Sequence, residues 1–64
     1  MNEKQLDPYN TFCVCKVNGK EVGRILASDP NAENYMTDFV RHYGSLEVEY
    51  VEDATAAMIA RLLK

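Results

Sequence analysis

The dipeptide Asn18-Gly19, placed between two stretches rich in β-forming residues, most constrains what this chain can fold into. Both central residues of a type I′ turn need positive φ angles, which asparagine and glycine adopt most readily. The sequence therefore predicts a β-hairpin with one strand over residues 10–17 and a second over residues 21–27. The hairpin fixes the start of a small α/β domain, but it does not indicate a function.

Two helices and a third strand are predicted after the hairpin. Asp29-Pro30 supplies an N-cap and a residue suited to the first helical position, and Gly44 is typical of the position just past a helix. Residues 46–51 alternate between apolar and polar side chains, which is typical of a half-buried strand. Asp53 can cap a second helix that runs from residue 54 to the C-terminus. Apolar residues recur at helical spacing in both helices: Ala32, Tyr35, Met36, Phe39, Val40 and Tyr43, then Met58, Ile59, Leu62 and Leu63.

This order of elements predicts an α+β fold, a two-layer ββαβα arrangement with a three-stranded sheet in the order 2-1-3. A right-handed helical crossover makes the second and third strands parallel and leaves the first strand between them. We expect both helices on one sheet face, the one that carries Cys13, Cys15 and Leu26. A single domain is predicted over residues 10–64, preceded by a flexible N-terminal tail over residues 1–9.

The opposite sheet face would then stay uncovered, with Phe12, Val14, Gly23 and Ile25 on it. A small monomer rarely exposes an aromatic and two β-branched side chains together. A chain of 64 residues buries only about 60% of its unfolded surface and often needs a disulfide, a metal or a second subunit. We therefore predict an interface at this face and a homo-oligomer, with a dimer favoured. Gly23 marks a bulge or a close backbone approach there.

The two cysteines are the residues best suited to bind a metal or to form a disulfide. Cys13 and Cys15 point to the same side of a strand, too far apart for an unstrained disulfide, which indicates free thiols and a cytoplasmic location. A structural zinc needs four ligands, and only His42, or a second copy of the chain, could complete the set. Free cysteines usually behave as small buried hydrophobic residues. We therefore predict neither metal nor cofactor.

Catalytic residues are not indicated. His42 could act with Asp38 as an acid–base pair, but a histidine in the last turn of a helix is already explained by the helix dipole. The sequence places no nucleophile beside it, and we predict that the protein is not an enzyme.

The charge pattern favours protein partners. The net charge is −3, which argues against binding to nucleic acid and to anionic membranes, although basic residues and tyrosines do occur in the chain. The N-terminus lacks the apolar region of a signal peptide, and no run approaches the about 18 apolar residues of a membrane span. An acidic surface is predicted late in the chain, either as the wet side of a strand or as a mimic of DNA phosphates; it comprises Glu47, Glu49, Glu52 and Asp53.

Three functions remain open at this level. The first is a small acidic protein-interaction or inhibitor module that self-associates, comparable in size and shape with small bacterial or phage accessory proteins. The second is a small-ligand or metal-binding protein with its site between protomers. The third is a DNA-mimicking inhibitor of a nucleic-acid enzyme.

Overall fold

The computed structural model describes residues 7–63 and contains the five predicted elements in the predicted order. Their bounds are β1 (Thr11–Val17), β2 (Lys20–Leu26), α1 (Ala32–Tyr43), β3 (Glu47–Glu52) and α2 (Ala54–Leu62). β1 pairs antiparallel with both other strands, so the sheet order is β2-β1-β3. The α+β fold class and the 2-1-3 sheet order are thus confirmed. No helix within residues 7–63 has the length and apolar character to cross a bilayer.

The hairpin turn has the predicted geometry. Asn18 and Gly19 both have positive φ angles, 54° and 81°, as a type I′ turn requires. Val17 lies opposite Lys20, and Lys16 lies opposite Glu21, which is the register of a two-residue loop.

A β-bulge then changes the register of the hairpin. The pairing shifts between Cys15 and Lys16, because Cys15 lies opposite Gly23 while Lys16 lies opposite Glu21. Val22 is the extra residue of β2, and every later residue of β2 points to the opposite face from the one that an uninterrupted ladder would give. Ile25 therefore shares a face with Cys13, and Leu26 shares one with Phe12.

The sheet consequently has two apolar faces. We call one the cysteine face, with Cys13, Cys15, Gly23, Ile25, Val48 and Tyr50, and the other the phenylalanine face, with Phe12, Val14, Leu26 and Val51.

The two helices cover opposite faces, so the prediction that both lie on one face is wrong. Ala57 of α2 packs in one cluster with Phe12 and Val14 on the phenylalanine face. Tyr35 and Phe39 of α1 lie over Gly23 on the cysteine face. Both sides of the central strand are apolar, and each side needs its own cover to exclude water. The fold therefore has three layers, with β1 buried between the helices.

Residues 7–9 belong to the domain. The Thr11 hydroxyl donates to the Asp7 carbonyl oxygen at 2.7 Å, and the Ser28 amide donates to the Pro8 carbonyl at 3.1 Å. The predicted flexible tail therefore does not include residues 7–9, and the rest of that prediction, residues 1–6, lies outside the described residues.

The helix ends were predicted from single residues. Gly44 is left-handed, with φ of 87°, and its amide donates to the Val40 carbonyl. Asp53 caps α2, since its Oδ1 accepts from the Ala56 amide at 3.0 Å. Both predicted caps are confirmed. α1 starts later than predicted, because Asp29 instead accepts from the amide of Asn31, at 2.8 Å, in the turn before the helix.

Candidate interaction surfaces

The predicted uncovered face is covered by the chain itself. Phe12 and Val14 retain only 7% and 3% exposure, because α2 packs on them. Gly23 and Ile25 lie on the other face, where α1 packs. The four residues predicted as one interface therefore do not form a common surface, and the premise that they lie together in water is wrong.

Gly23 lies beside the bulge, and another part of the protein also packs closely against it. That part is helix α1 of the same chain, not a second subunit. A Cβ atom at this position would lie 2.9 Å from Cζ of Phe39 and closer still to the Tyr35 hydroxyl. The rings of Tyr35 and Phe39 pack edge to face, with centroids 5.0 Å apart. The absence of a side chain at Gly23 thus lets two aromatic rings of α1 rest on the sheet.

The outward face of α2 carries the two most exposed large apolar side chains among the described residues, Leu62 and Leu63. The side of α2 that faces the sheet consists of alanines, with Ala57 fully buried and Ala56 and Ala60 partly buried against the core. The large apolar residues point away from the sheet, the reverse of what their helical spacing predicts for a core-facing stripe. The exposed fractions are 51% for Met58, 49% for Ile59, 76% for Leu62 and 82% for Leu63.

The reason for this rotation of α2 lies in the sheet beneath it. Phe12 occupies the space between helix and sheet. The Arg24 guanidinium lies over the Phe12 ring, 5.8 Å from the ring centroid. Small alanine side chains allow the helix backbone to come close to such a ring, whereas leucine or methionine there would overfill the space. The larger residues consequently take the solvent side.

Three bonds hold α2 in this orientation. Asp53 caps its first turn, the Asp53 amide donates to the Asn10 carbonyl at 2.8 Å, and the Arg61 guanidinium donates to the Tyr9 carbonyl. Arg61 is the charged residue of the helix, and this bond directs it toward the N-terminal segment. The outward face of α2 is therefore apolar and fixed in place.

The cysteines have the environment of core residues. Cys13 and Cys15 are free and buried, and burial raises the pKa of both thiols. The reactive form of cysteine is the thiolate, and a raised pKa makes it scarce at neutral pH.

His42 is exposed on the last turn of α1, with its ring edge-on to Tyr43. Between residues 7 and 63 no three histidine, cysteine or acidic side chains are grouped to hold a metal ion, and no enclosed cavity is found.

The four predicted acidic residues do not form one surface. Glu47 and Glu49 lie on the phenylalanine side of β3, and Glu52, opposite Thr11, lies on the cysteine side. Asp53 is the helix cap. Glu49 Oε1 lies 2.7 Å from Lys16 Nζ, and this hydrogen-bonded pair raises the pKa of the lysine.

A second ion pair lies near the hairpin turn. Glu21 accepts from both Nε and Nη2 of Arg24, each at 2.9 Å. The arginine lowers the pKa of the Glu21 carboxyl. The cross-strand partner of Lys16 is therefore Glu49 on β3, and Glu21 pairs within its own strand.

Comparisons of the chain with protein-family models, with curated proteins and with solved structures find no match. The functional inference consequently depends on the exposed surfaces of the chain and on their chemistry. Two surfaces stand out in the described part: the outward face of α2 and the outer edge of β3.

Proposed function

We propose that this protein is a small acidic, non-enzymatic interaction module that self-associates through the outward face of α2, most simply as a dimer. The supporting observation is that four large apolar side chains lie together on a helix face that is fixed outward. Monomeric proteins rarely leave such residues contiguous in water without an interaction to make.

The area of this face is adequate for a modest dimer. Each of the four side chains exposes roughly 100 Å² of apolar surface, which gives on the order of 400 Å² per copy, within the size range of patches that are often functional. Two such faces, with the polar rim around them, reach about 1,200 Å², the lower end of specific interfaces. We therefore expect a dissociation constant in the micromolar range.

The charge distribution favours a second copy as the occupant. The chain carries a net charge of −3, so copies repel one another in general. Residues 54–63, however, contain no aspartate or glutamate, and Arg61 is directed to Tyr9. Two α2 helices can therefore meet about a two-fold axis without placing carboxylates against each other, as a self-complementary interface requires.

The cytoplasm is the location that we propose. Cys13 and Cys15 are both free and lie in the core, an arrangement that is common where thiols stay reduced. The alternative of a DNA mimic gains no specific support, since Glu47, Glu49 and Glu52 do not share one face. The alternative of a site between protomers gains no specific support either.

Sedimentation equilibrium with the variant Leu62→Glu tests this proposal. Because Leu62 is mostly exposed, the substitution leaves the fold intact, as circular dichroism can verify, and we expect dimerisation to weaken at least about a hundredfold, or roughly 3 kcal/mol. Thr37→Glu, at an exposed position of α1, adds the same charge away from the face and serves as the control. A wild-type protein that stays monomeric at millimolar concentration would overturn the proposal, as would an equal effect of both variants.

A further inference from the structure

The outer edge of β3 is the second surface of interest, because within residues 7–63 no strand pairs with it. β3 pairs with β1 on one side only, so it forms an edge of the sheet. Its six residues, Glu47–Glu52, contain no proline, lysine or bulge. Natural edges are usually blunted by such devices, because an open edge offers backbone donors and acceptors to another strand.

The two sides of this edge differ in chemistry. Glu47 and Glu49 point to the phenylalanine side, whereas Val48 and Tyr50 point to the cysteine side. α1 packs against β1 and β2, and Val48 and Tyr50 remain exposed. An added strand would therefore meet carboxylates on one side and apolar side chains on the other.

We propose that the β3 edge binds an extended, basic segment of another protein as a fourth strand. Basic side chains of that segment lie beside Glu47 and Glu49, and its alternate, apolar side chains lie beside Val48 and Tyr50. Main-chain hydrogen bonds supply affinity in this mode of recognition, and the alternating side chains supply specificity. The open edge is the binding element, and the carboxylates select the charge of the partner.

The chain itself shows the favoured pairing. On the inner side of β3, Lys16 of β1 lies opposite Glu47 and pairs with Glu49 at 2.7 Å. A lysine on an outer neighbour would stand in the equivalent relation to Glu47, while Glu49 already pairs with Lys16. Opposite charges on adjacent strands are stabilising.

A second copy of this chain fits the edge poorly. Antiparallel pairing of two β3 strands would place glutamates near glutamates, which is destabilising. The outer edge of β2 is irregular, because Val22 is bulged there, and Arg24 is already held by Glu21. The occupant is therefore a different, basic protein segment, and this site does not depend on self-association through α2.

Nuclear magnetic resonance titration of the full, ¹⁵N-labelled chain tests the proposal. The probe is a synthetic peptide of alternating lysine and valine, long enough to span β3. We expect saturable shifts concentrated at the amides of residues 47–52. A peptide with glutamate in place of lysine, and a lysine peptide with proline in place of alternate valines, should produce no such shifts, because the first has the wrong charge and the second cannot complete the ladder.

Matched charge variants separate strand addition from general ionic attraction. Glu47→Lys with Glu49→Lys should weaken binding of the lysine–valine peptide at least about tenfold, whereas Glu33→Lys with Asp38→Lys, both on α1, should change it much less. Equal losses in the two double variants, equal binding of the proline peptide, or shifts spread over the whole surface would overturn the proposal. The variant Leu62→Glu should bind the peptide as the wild type does, which keeps this result distinct from the outcome for self-association.

Discussion

The two helices of this protein cover the sheet in opposite ways. α1 places large aromatic rings on the cysteine face, where Gly23 leaves room for Tyr35 and Phe39. α2 places alanines on the phenylalanine face, where Phe12 fills the space, and turns its own large residues outward. The large side chains between α1 and the sheet come from the helix, whereas the large side chain between α2 and the sheet comes from the sheet. A helix that lets the sheet supply the bulk keeps its apolar residues available for a partner.

The largest effect that we expect is from Phe12→Ala. This substitution removes the ring that fills the space under α2, and the expected loss is about 3–5 kcal/mol, comparable with the whole stability of so small a domain. Leu62→Ala, on the outward side of α2, serves as the control and should change monomer stability by less than about 0.5 kcal/mol. Urea unfolding monitored by circular dichroism measures both, at concentrations below that of dimerisation. A stable, folded Phe12→Ala monomer would show that Phe12 is not a core residue.

A smaller loss is expected from Gly23→Ala. The new methyl group would meet Phe39 and the Tyr35 hydroxyl, and such overpacking costs about 1–3 kcal/mol. Thermal unfolding should show a smaller cost in a Tyr35→Phe background, where the nearest atom is gone. If Gly23→Ala stabilises the protein, α1 does not rest on the sheet at this point.

The comparison also shows what sequence patterns can and cannot predict. Turn and cap residues act locally, so Asn18-Gly19, Gly44 and Asp53 predicted the hairpin and two helix ends. Gly23 predicted a bulge or a close backbone approach, but the exchange of the faces of β2 that the bulge at Val22 causes was not predicted, because an extra residue leaves no clear mark in the alternation of a short strand. The rotation of α2 was not predicted either. Its leucines have the spacing of a core stripe, and only the position of Phe12 decides that alanines fit underneath.

The smallest effect that we expect concerns the thiols beneath α1. Burial raises the pKa of Cys13 and Cys15 above the ordinary value of 9.0. Below that pH both the native and the unfolded chain keep these protons, so the contribution to stability is fully present. As the pH rises above it, the unfolded chain loses thiol protons that the native chain keeps, and stability falls.

Urea unfolding at a series of pH values from neutral to alkaline measures this dependence. The double variant Cys13→Ala with Cys15→Ala should lose stability less steeply over the alkaline range, whatever its stability at neutral pH. Identical slopes for the variant and the wild type would show that water reaches the cysteine face, and that α1 does not seal its side of the sheet as α2 seals the other.

The most direct test of the account is a nuclear Overhauser measurement on a mixture of ¹³C-labelled and unlabelled protein, filtered for contacts between different copies. We predict contacts between copies at the side-chain methyl groups of Met58, Ile59 and Leu62, and none at Phe12 or Val14. Intermolecular contacts that arise from another surface, or their absence at concentrations where the protein is a dimer, would contradict the claim that α2 keeps its apolar face for a second copy.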